Sequence, residues 1–249
     1  MGKVYLVGAG PGAADLLTWR AVKLLQQADC VFYDALVGPE ILELAAQAKL
    51  VPVGKRCGQR STAQQFINKQ LVEAAQRHRL VVRLKGGDPM LFGRAQEELD
   101  ALNQANIPVE VVPGISAAFG AAAALQQSLT QRGISRNVTF LTPSTGQGQA
   151  TTQWRKAAAA ADTAVIYMGG QQLPTIQQGL LEEGVRPDCP VVLIENASLP
   201  TQRVMATRLG QLAGFLPLLG NGPVLIMLGE VCEATLSRLT NTSPQSAAA

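Results

Sequence analysis

This 249-residue chain could carry out chemistry with its glycine-rich segments, its carboxylates and its basic side chains. The single histidine, His78, lies in a polar run, where a solvated surface side chain is the simplest interpretation. The presence of one histidine therefore argues against a catalytic triad and against a metal site built from histidines. The cysteines (Cys30, Cys57, Cys189 and Cys232) form no C-x-x-C pair, so neither a structural zinc site nor a disulfide framework is expected.

The first glycine-rich segment, GAGPGA at 8–13, directly follows an apolar run. Its spacing satisfies the dinucleotide-binding fingerprint if Ala13 takes the place of the third glycine, and Asp34 stands roughly where a ribose-binding acid belongs. Pro11 weakens that interpretation, because it removes a backbone N–H from the turn that would bind a pyrophosphate. On this segment alone, NAD binding and the binding of another cofactor both remain open.

The second glycine-rich segment, KGGDP at 85–89, follows the apolar run 80–84. Adjacent glycines let a ligand approach the backbone closely, and Asp88 could accept hydrogen bonds from an amine or a ribose hydroxyl. An ordinary strand-to-helix turn could have the same composition, but a second glycine loop is not standard in a dinucleotide fold. Because open α/β sheets bind ligands beyond the carboxyl ends of their strands, both segments can line one crevice.

A third group combines the segment YDALV at 33–37 with GKR at 54–56. Asp34 at a strand end, with Lys55 and Arg56 nearby, could be a general base beside an anion clamp. The same residues could equally form a surface ion pair, and their spacing does not decide between the two.

The elements that position these residues alternate between β-rich runs and helical stretches. In the first half we predict strands at 4–7, 31–33, 50–53, 80–84 and 109–112, and helices at 15–28, 39–48, 61–77 and 93–105. This alternation indicates a largely parallel sheet with helices on both faces. In the second half an alanine-rich helix precedes strands at 138–142, 164–168, 191–195, 203–206 and 224–228.

The predicted fold class is therefore α/β, with two α/β domains and a cleft between them. Pro113 and Gly114 are the expected junction, which gives domains at 1–113 and 114–239 and a disordered tail at 240–249. Apolar residues make up 47% of the chain and charged residues 16%, as is typical of globular proteins.

Charge and hydropathy narrow the classes of partner. The net charge is +3 and only 4% of residues are aromatic, without long Lys/Arg runs, which argues against nucleic-acid binding. The small positive net charge is compatible with an anionic small-molecule substrate. No apolar run approaches the length of a membrane span or forms a signal-peptide core, so we expect a cytoplasmic protein without a membrane partner.

A set of blocks, in order along the chain, resembles the tetrapyrrole methylase family. They are VGAGPG at 7–12, YDALV at 33–37, GKR at 54–56, RLKGGDP at 83–89, FGR at 92–94, VPGISA at 112–117 and YMG at 167–169. The resemblance runs from about residue 4 to residue 231, and RLKGGDP and YDALV are its most specific blocks.

The resemblance implies S-adenosylmethionine in the cleft between two α/β domains, no metal, and usually a homodimer. It implies C-methylation of uroporphyrinogen III at C2 and then C7, which gives precorrin-2 by way of precorrin-1 for sirohaem or cobalamin. Methylation of a later corrin intermediate is the nearest alternative. An NAD-linked oxidoreductase and a non-catalytic tetrapyrrole-binding protein also remain open.

Residue roles follow from the same resemblance. Asp34 and Lys55 match positions proposed as proton acceptor and proton donor. The positions that match cofactor contacts are Pro11, Gly86, Gly87, Asp88, Leu91, Ser116, Ala117, Met168 and Ala197.

Other matched positions concern the anionic substrate. Arg94 and Glu97 match catalytic positions near the substrate, while Arg132 and Arg56 are candidates to pair with its carboxylates. The chain departs from the family where SLTQR at 128–132 replaces the frequent PLTHR, so that Gln131 takes the histidine position. A further departure is TPS at 142–144, where the family has Thr-Gly-His.

Overall fold

The structure is a computed structural model that describes residues 2–53, 64–143 and 152–241. Lys55 and Arg56 lie outside these residues, as does most of the tail expected at 240–249. The chain divides into two compact units, Met1–Gly120 and Ala121–Ala249, shortly after the junction expected at Pro113.

The first unit contains a parallel five-stranded sheet. Its strands are β1 (Lys3–Gly8), β2 (Cys30–Tyr33), β3 (Lys49–Pro52), β4 (Leu80–Lys85) and β5 (Val109–Val112), in the spatial order β3-β2-β4-β1-β5. Every neighbouring pair in this sheet is parallel, which confirms the prediction for the first half of the chain.

Helices cover both faces of this sheet. They are α1 (Trp19–Gln27), α2 (Pro39–Glu43), α3 (Gln64–Arg77) and α4 (Ala95–Gln104). The next helix, α5 (Ala117–Leu125), begins in the first unit and ends in the second. Because side chains alternate along a strand, Val7 packs in one apolar cluster with Leu25 of α1, and Leu6 in another with Leu71 of α3 and Leu102 of α4.

The order of the strands places a topological switch point at their carboxyl ends. The connection after β2 runs through α2 on one face, whereas the connection after β4 runs through α4 on the opposite face. Neighbouring strands whose connections leave on opposite faces mark the place where open α/β sheets bind ligands. Tyr33 ends β2 and Lys85 ends β4, so Asp34 and Gly86 stand at this point.

Two predicted helices begin later than the sequence pattern indicates. α1 begins at Trp19 rather than at 15, because Leu17 and Thr18 are extended and the Thr18 side chain accepts a hydrogen bond from Ala21 N at 3.2 Å. α4 begins at Ala95 rather than at 93, because the backbone of Arg94 is left-handed, with φ 54°.

The second unit contains a mixed sheet. Its strands are β6 (Val138–Leu141), β7 (Thr163–Ile166), β8 (Pro190–Glu195), β9 (Arg203–Arg208) and β10 (Val224–Leu228), in the order β6-β7-β10-β8-β9. Only the β6–β7 pair is parallel among them, and the other three pairs are antiparallel. The predicted strands of this half are confirmed, with ends that shift by one or two residues.

The helices of this unit are α6 (Gln153–Ala159), α7 (Leu173–Glu182) and α8 (Glu233–Asn241), with a 3-10 segment at Leu209–Leu218. An apolar cluster packs Ala158 of α6 and Ile176 of α7 against the sheet residues Ile166 and Leu193. No helix in the described parts of the chain combines the length and the apolar character needed to cross a membrane.

Candidate active site

The two glycine-rich segments are joined at the carboxyl ends of β1 and β4. Gly10 N donates to Gly87 O at 3.2 Å, and Gly87 N donates to Gly10 O at 2.7 Å. Both residues have a left-handed backbone, with φ 73° and 67°. The two segments therefore lie side by side, as the prediction that both can line one crevice requires.

The loop after β5 packs against both of them. A Cβ on Gly8 would lie 2.5 Å from Gly114 Cα, and a Cβ on Gly114 would lie 2.3 Å from Gly87 O. Since these distances are far below van der Waals contact, only glycine allows the three loops to approach this closely.

Asp88 holds two of these loops with its carboxylate. Its Oδ1 accepts a hydrogen bond from Met90 N at 2.8 Å, and its Oδ2 accepts one from Gly114 N at 2.9 Å. The role expected for Asp88 was direct contact with the cofactor, and that role stays a prediction. The hydrogen bonds add a positioning role, because they fix the start of the β5 loop relative to the β4 loop.

Pro11 packs against the first turn of α5. A Cβ on Gly120 would lie 2.7 Å from Pro11 Cγ, so the proline ring rests on the bare backbone of the helix. The carbonyl of Ser116, a buried residue, accepts hydrogen bonds from Phe119 N and Gly120 N at 3.0 and 3.2 Å. Pro11, Ser116 and Ala117 are thus neighbours in the same loop cluster as Gly87.

A network of four charged side chains lies beneath these loops. Arg83 Nη2 donates to Asp34 Oδ1 at 2.6 Å, and Arg83 Nε donates to Glu98 Oε1 at 3.0 Å. Lys85 Nζ donates to both oxygens of Glu98 at 3.1 Å. Asp34 is the member nearest to solvent, with a side chain that is 29% exposed, whereas the other three are almost completely buried.

Burial and ion pairing act in opposite directions on the pKa values of the two cations in this network. The pKa of Lys85 is lowered by desolvation and then by the nearby Arg83 guanidinium, with Glu98 and Asp34 acting in the opposite direction. No prediction from the sequence gave a role to Arg83, Lys85 or Glu98. The available signal was the pair of cations inside the otherwise apolar strand LVVRLK, because buried Lys and Arg occur almost only with partners.

Arg94 and Glu97 form a bidentate ion pair at the start of α4. Arg94 Nε lies 2.7 Å from Glu97 Oε1, and Nη2 lies 2.8 Å from Oε2. Their mutual hydrogen bond raises the pKa of Arg94 and lowers that of Glu97. Both side chains are exposed, and Leu91 is half-buried in the preceding turn. The structure therefore brings together two residues that the sequence analysis placed near the substrate.

The remaining predicted residues belong to the second unit. Met168 follows β7 with φ 57° and an exposed side chain, and Ala197 follows β8 with a buried one. Arg132 is exposed in a turn closed by reciprocal backbone hydrogen bonds between Gln131 and Ser135, at 3.0 and 2.8 Å. Their contacts with cofactor or substrate stay predictions.

The described ranges were also compared with what a metal site and a reactive thiol require. No group of three or more His, Cys, Asp or Glu residues there could hold a metal ion. Cys189 and Cys232 are buried, and burial raises their pKa values to about 11 and about 12, so both thiols are protonated at neutral pH.

Comparison with known proteins gives the family. The model of the Tetrapyrrole (Corrin/Porphyrin) Methylases matches residues 3–213. The chain belongs to the tetrapyrrole methylases. This methylase is 47% identical to the uroporphyrinogen-III C-methyltransferase of Pseudomonas aeruginosa, over 95% of its own length and 97% of that protein. It is also 47% identical to the siroheme synthase of Zymomonas mobilis, over 92% of its own length and 49% of that protein. The methylase thus spans about half the length of the curated siroheme synthases that it matches.

Solved structures agree with this assignment. The uroporphyrin-III C-methyltransferase of Thermus thermophilus, complexed with S-adenosylhomocysteine, has a TM-score of 0.83 at 37% identity and covers 94% of the methylase and 100% of its own chain. A cobalt precorrin-4 methyltransferase has a TM-score of 0.80 at 26% identity and covers 92% and 95% of the two chains. The predicted fold class and family resemblance are confirmed.

Proposed function

We propose that this methylase transfers methyl groups from S-adenosylmethionine to C2 and then C7 of uroporphyrinogen III. The product is precorrin-2, formed by way of precorrin-1, and it serves sirohaem or cobalamin synthesis. The observation that carries the proposal is the 47% identity to the uroporphyrinogen-III C-methyltransferase of Pseudomonas aeruginosa over nearly the whole of both chains.

The loop cluster of the first unit fits the proposed cofactor. S-adenosylmethionine supplies a methyl group that is already activated on a sulfonium. A Cβ on Gly86 would lie only 3.3 Å from the Cβ of Leu36, so glycine at this position lets the turn after β4 approach the loop after β2 closely. The residues proposed to hold the cofactor are Pro11, Gly86, Gly87, Asp88, Leu91, Ser116 and Ala117, with Met168 and Ala197 of the second unit as further contacts.

Asp34 is the proposed proton acceptor. The Arg83 guanidinium fixes the position of its carboxylate from the buried side, while the partial exposure of Asp34 leaves the carboxylate accessible. A fixed and accessible carboxylate at the carboxyl end of β2 can take the proton that the substrate loses after methylation. Lys55, the proposed donor, lies outside the described residues.

The substrate carries several carboxylates, and exposed arginines can pair with them. Arg94 presents a planar guanidinium at the start of α4, already oriented by its bidentate bonds to Glu97. We propose that Arg94 and Glu97 act near the substrate, where Arg94 pairs with one carboxylate, and that Arg132 and Arg56 bind other carboxylates. We also propose that the enzyme is a cytoplasmic homodimer, as the family resemblance implies.

An anaerobic assay tests the function. The protein is incubated with S-adenosylmethionine and freshly made uroporphyrinogen III, and the product is followed by absorbance and mass. Two methyl additions are the expected result. S-adenosylhomocysteine binding without methyl transfer would indicate a non-catalytic tetrapyrrole-binding protein, and tight NAD binding without S-adenosylhomocysteine binding would indicate an oxidoreductase.

The likeness to a cobalt precorrin-4 methyltransferase supports one second candidate, methylation of a later corrin intermediate. The same assay with a corrin substrate separates the two. Faster turnover of the corrin than of uroporphyrinogen III would favour this candidate over the proposed function.

A further inference from the structure

Glu98 connects the buried charges of the first unit, although nothing in the proposed function uses it. It lies in the first turn of α4 and is completely buried. Its Oε1 accepts hydrogen bonds from Arg83 Nε, Lys85 Nζ and Gln64 Nε2, at 3.0, 3.1 and 3.1 Å. Its Oε2 accepts a further hydrogen bond from Lys85 Nζ at 3.1 Å. Glu98 is therefore bound to both buried cations of β4.

The guanidinium of Arg83 transmits this anchoring to Asp34. Nε donates to Glu98, Nη1 donates to Leu84 O at 3.1 Å, and Nη2 donates to Asp34 Oδ1 at 2.6 Å. Because a guanidinium is a rigid plane with donors in fixed directions, fixing Nε and Nη1 also fixes the direction of Nη2. The position of the Asp34 carboxylate is thus set by a residue that lies on another element and is itself inaccessible to substrate.

Glu98 also neutralises the buried cations of β4. Arg83 and Lys85 are two residues apart on β4, so their side chains leave the same face of the strand. Two buried cations side by side repel each other, and a buried charge that loses its partner is strongly destabilising. Glu98 offsets both cations, and Asp34 provides the second negative charge, so the four-residue network is neutral in total.

We infer that Glu98 is a positioning residue for the reaction, which acts through Arg83 to hold the Asp34 carboxylate where it can accept a proton. This inference rests on the proposed function, because it assigns a role within the same site. The helix that carries Glu98 also begins beside Arg94 and carries Glu97, so the network ties the start of α4 to the end of β2. The buried ion pairs of Glu98 thus connect three parts of the proposed site, which are Asp34, the glycine loop after Lys85 and the Arg94–Glu97 pair.

The variant Glu98→Gln tests the inference, because it keeps the shape of the side chain and removes its charge. Misplacement of a reacting group by about 1 Å can reduce turnover about a hundredfold, so we expect kcat to fall at least about tenfold. We expect the Kd for S-adenosylhomocysteine and the KM for uroporphyrinogen III to stay within about threefold of the unmodified protein. A role in folding alone would not split kcat from both binding constants in this way.

Arg83→Lys provides a second route to the same measurement if Glu98→Gln does not fold. Lysine keeps the positive charge but cannot bond Glu98 and Asp34 in two fixed directions, so the same selective loss of kcat is expected. In the double variant, kcat should lie within about threefold of the worse single variant, because both substitutions break one chain of contacts.

Glu110→Gln is the control, since it removes a partly exposed carboxylate of β5 that is paired with Lys3 and lies outside the proposed site. It should leave kcat and the Kd unchanged. A folded Glu98→Gln protein with kcat within threefold of the unmodified protein would overturn the inference, as would a loss of S-adenosylhomocysteine binding equal to the loss of turnover. Failure of the unmodified protein to methylate uroporphyrinogen III would instead overturn the proposed function.

Discussion

The carboxylate of Asp88 accepts a hydrogen bond from the backbone N–H of Gly114 at 2.9 Å, so the loop after β4 holds the loop after β5. The two residues are 26 positions apart in the chain. Both loops carry residues proposed to bind the cofactor. Removing this hydrogen bond therefore tests whether the loops form the cofactor site.

Replacing Asp88 with alanine removes the acceptors of both Met90 N and Gly114 N. The loops then lose their relative position, and we expect the Kd for S-adenosylhomocysteine to rise at least about tenfold, which corresponds to a loss of about 1.4 kcal/mol in binding free energy. Isothermal calorimetry measures the change. Asp88→Asn keeps one acceptor oxygen and should give an intermediate Kd, whereas an unchanged Kd for Asp88→Ala would remove this residue from the site.

Gly114→Ala tests the close approach of the three loops. The new Cβ would lie 2.3 Å from Gly87 O, which forces the backbone apart, and we expect the free energy of unfolding to fall by about 1–3 kcal/mol. Gly214→Ala is the matched control, because a Cβ there meets nothing within 4 Å. Urea unfolding of both variants gives the comparison, and equal stability of the two would contradict the crowding argument.

Asp34→Asn tests the proposed proton acceptor. The amide keeps the shape of the side chain but cannot take the proton, so we expect kcat to fall by about 10²–10⁴-fold, the usual contribution of general base catalysis. S-adenosylhomocysteine binding should change little. Asp100→Asn, which alters an exposed carboxylate bonded to Gln96, serves as the control. Turnover of Asp34→Asn close to that of the control would show that another group accepts the proton.

Arg94→Ala is expected to reduce turnover of uroporphyrinogen III while leaving cofactor binding unchanged. The substitution removes an exposed guanidinium and its bidentate pairing with Glu97, and kcat/KM should fall by about tenfold or more if the arginine meets a substrate carboxylate. Arg94→Lys should recover only part of the loss, because lysine lacks the planar pair of donors. Steady-state kinetics and calorimetry on the same preparations give both quantities, and a weaker affinity for S-adenosylhomocysteine would instead place Arg94 at the cofactor.

The buried thiols of Cys189 and Cys232 give a prediction about alkylation. Burial raises the pKa of Cys189 to about 11 and that of Cys232 to about 12, so at pH 8 both are protonated, and only the thiolate is nucleophilic. Iodoacetamide at pH 8 should therefore leave both unmodified in the folded protein and modify both after unfolding in urea. Peptide mass mapping identifies the sites, and rapid labelling of Cys232 in the folded protein would contradict its burial.

Most of the strands could be predicted because they depend on local pattern. The apolar run at 4–7 ends at a glycine segment, and 109–112 ends at Pro113-Gly114, so residue type alone marks where the chain leaves the sheet. Helix starts were harder to predict. The left-handed backbone of Arg94 and the extended backbone before Trp19 shorten two helices for reasons that hydrophobic periodicity does not register.

The α/β class, the two glycine segments and the family resemblance can be inferred from the sequence, because each rests on neighbouring residues in a fixed order. Which distant residues meet depends on the folded chain. Asp34 and Arg83 are 49 positions apart, and Arg83 and Glu98 are 15 positions apart on different elements. Their contact depends on β2 lying beside β4 and on α4 lying on one face of the sheet, and strand order is set by the packing of the whole sheet rather than by local pattern.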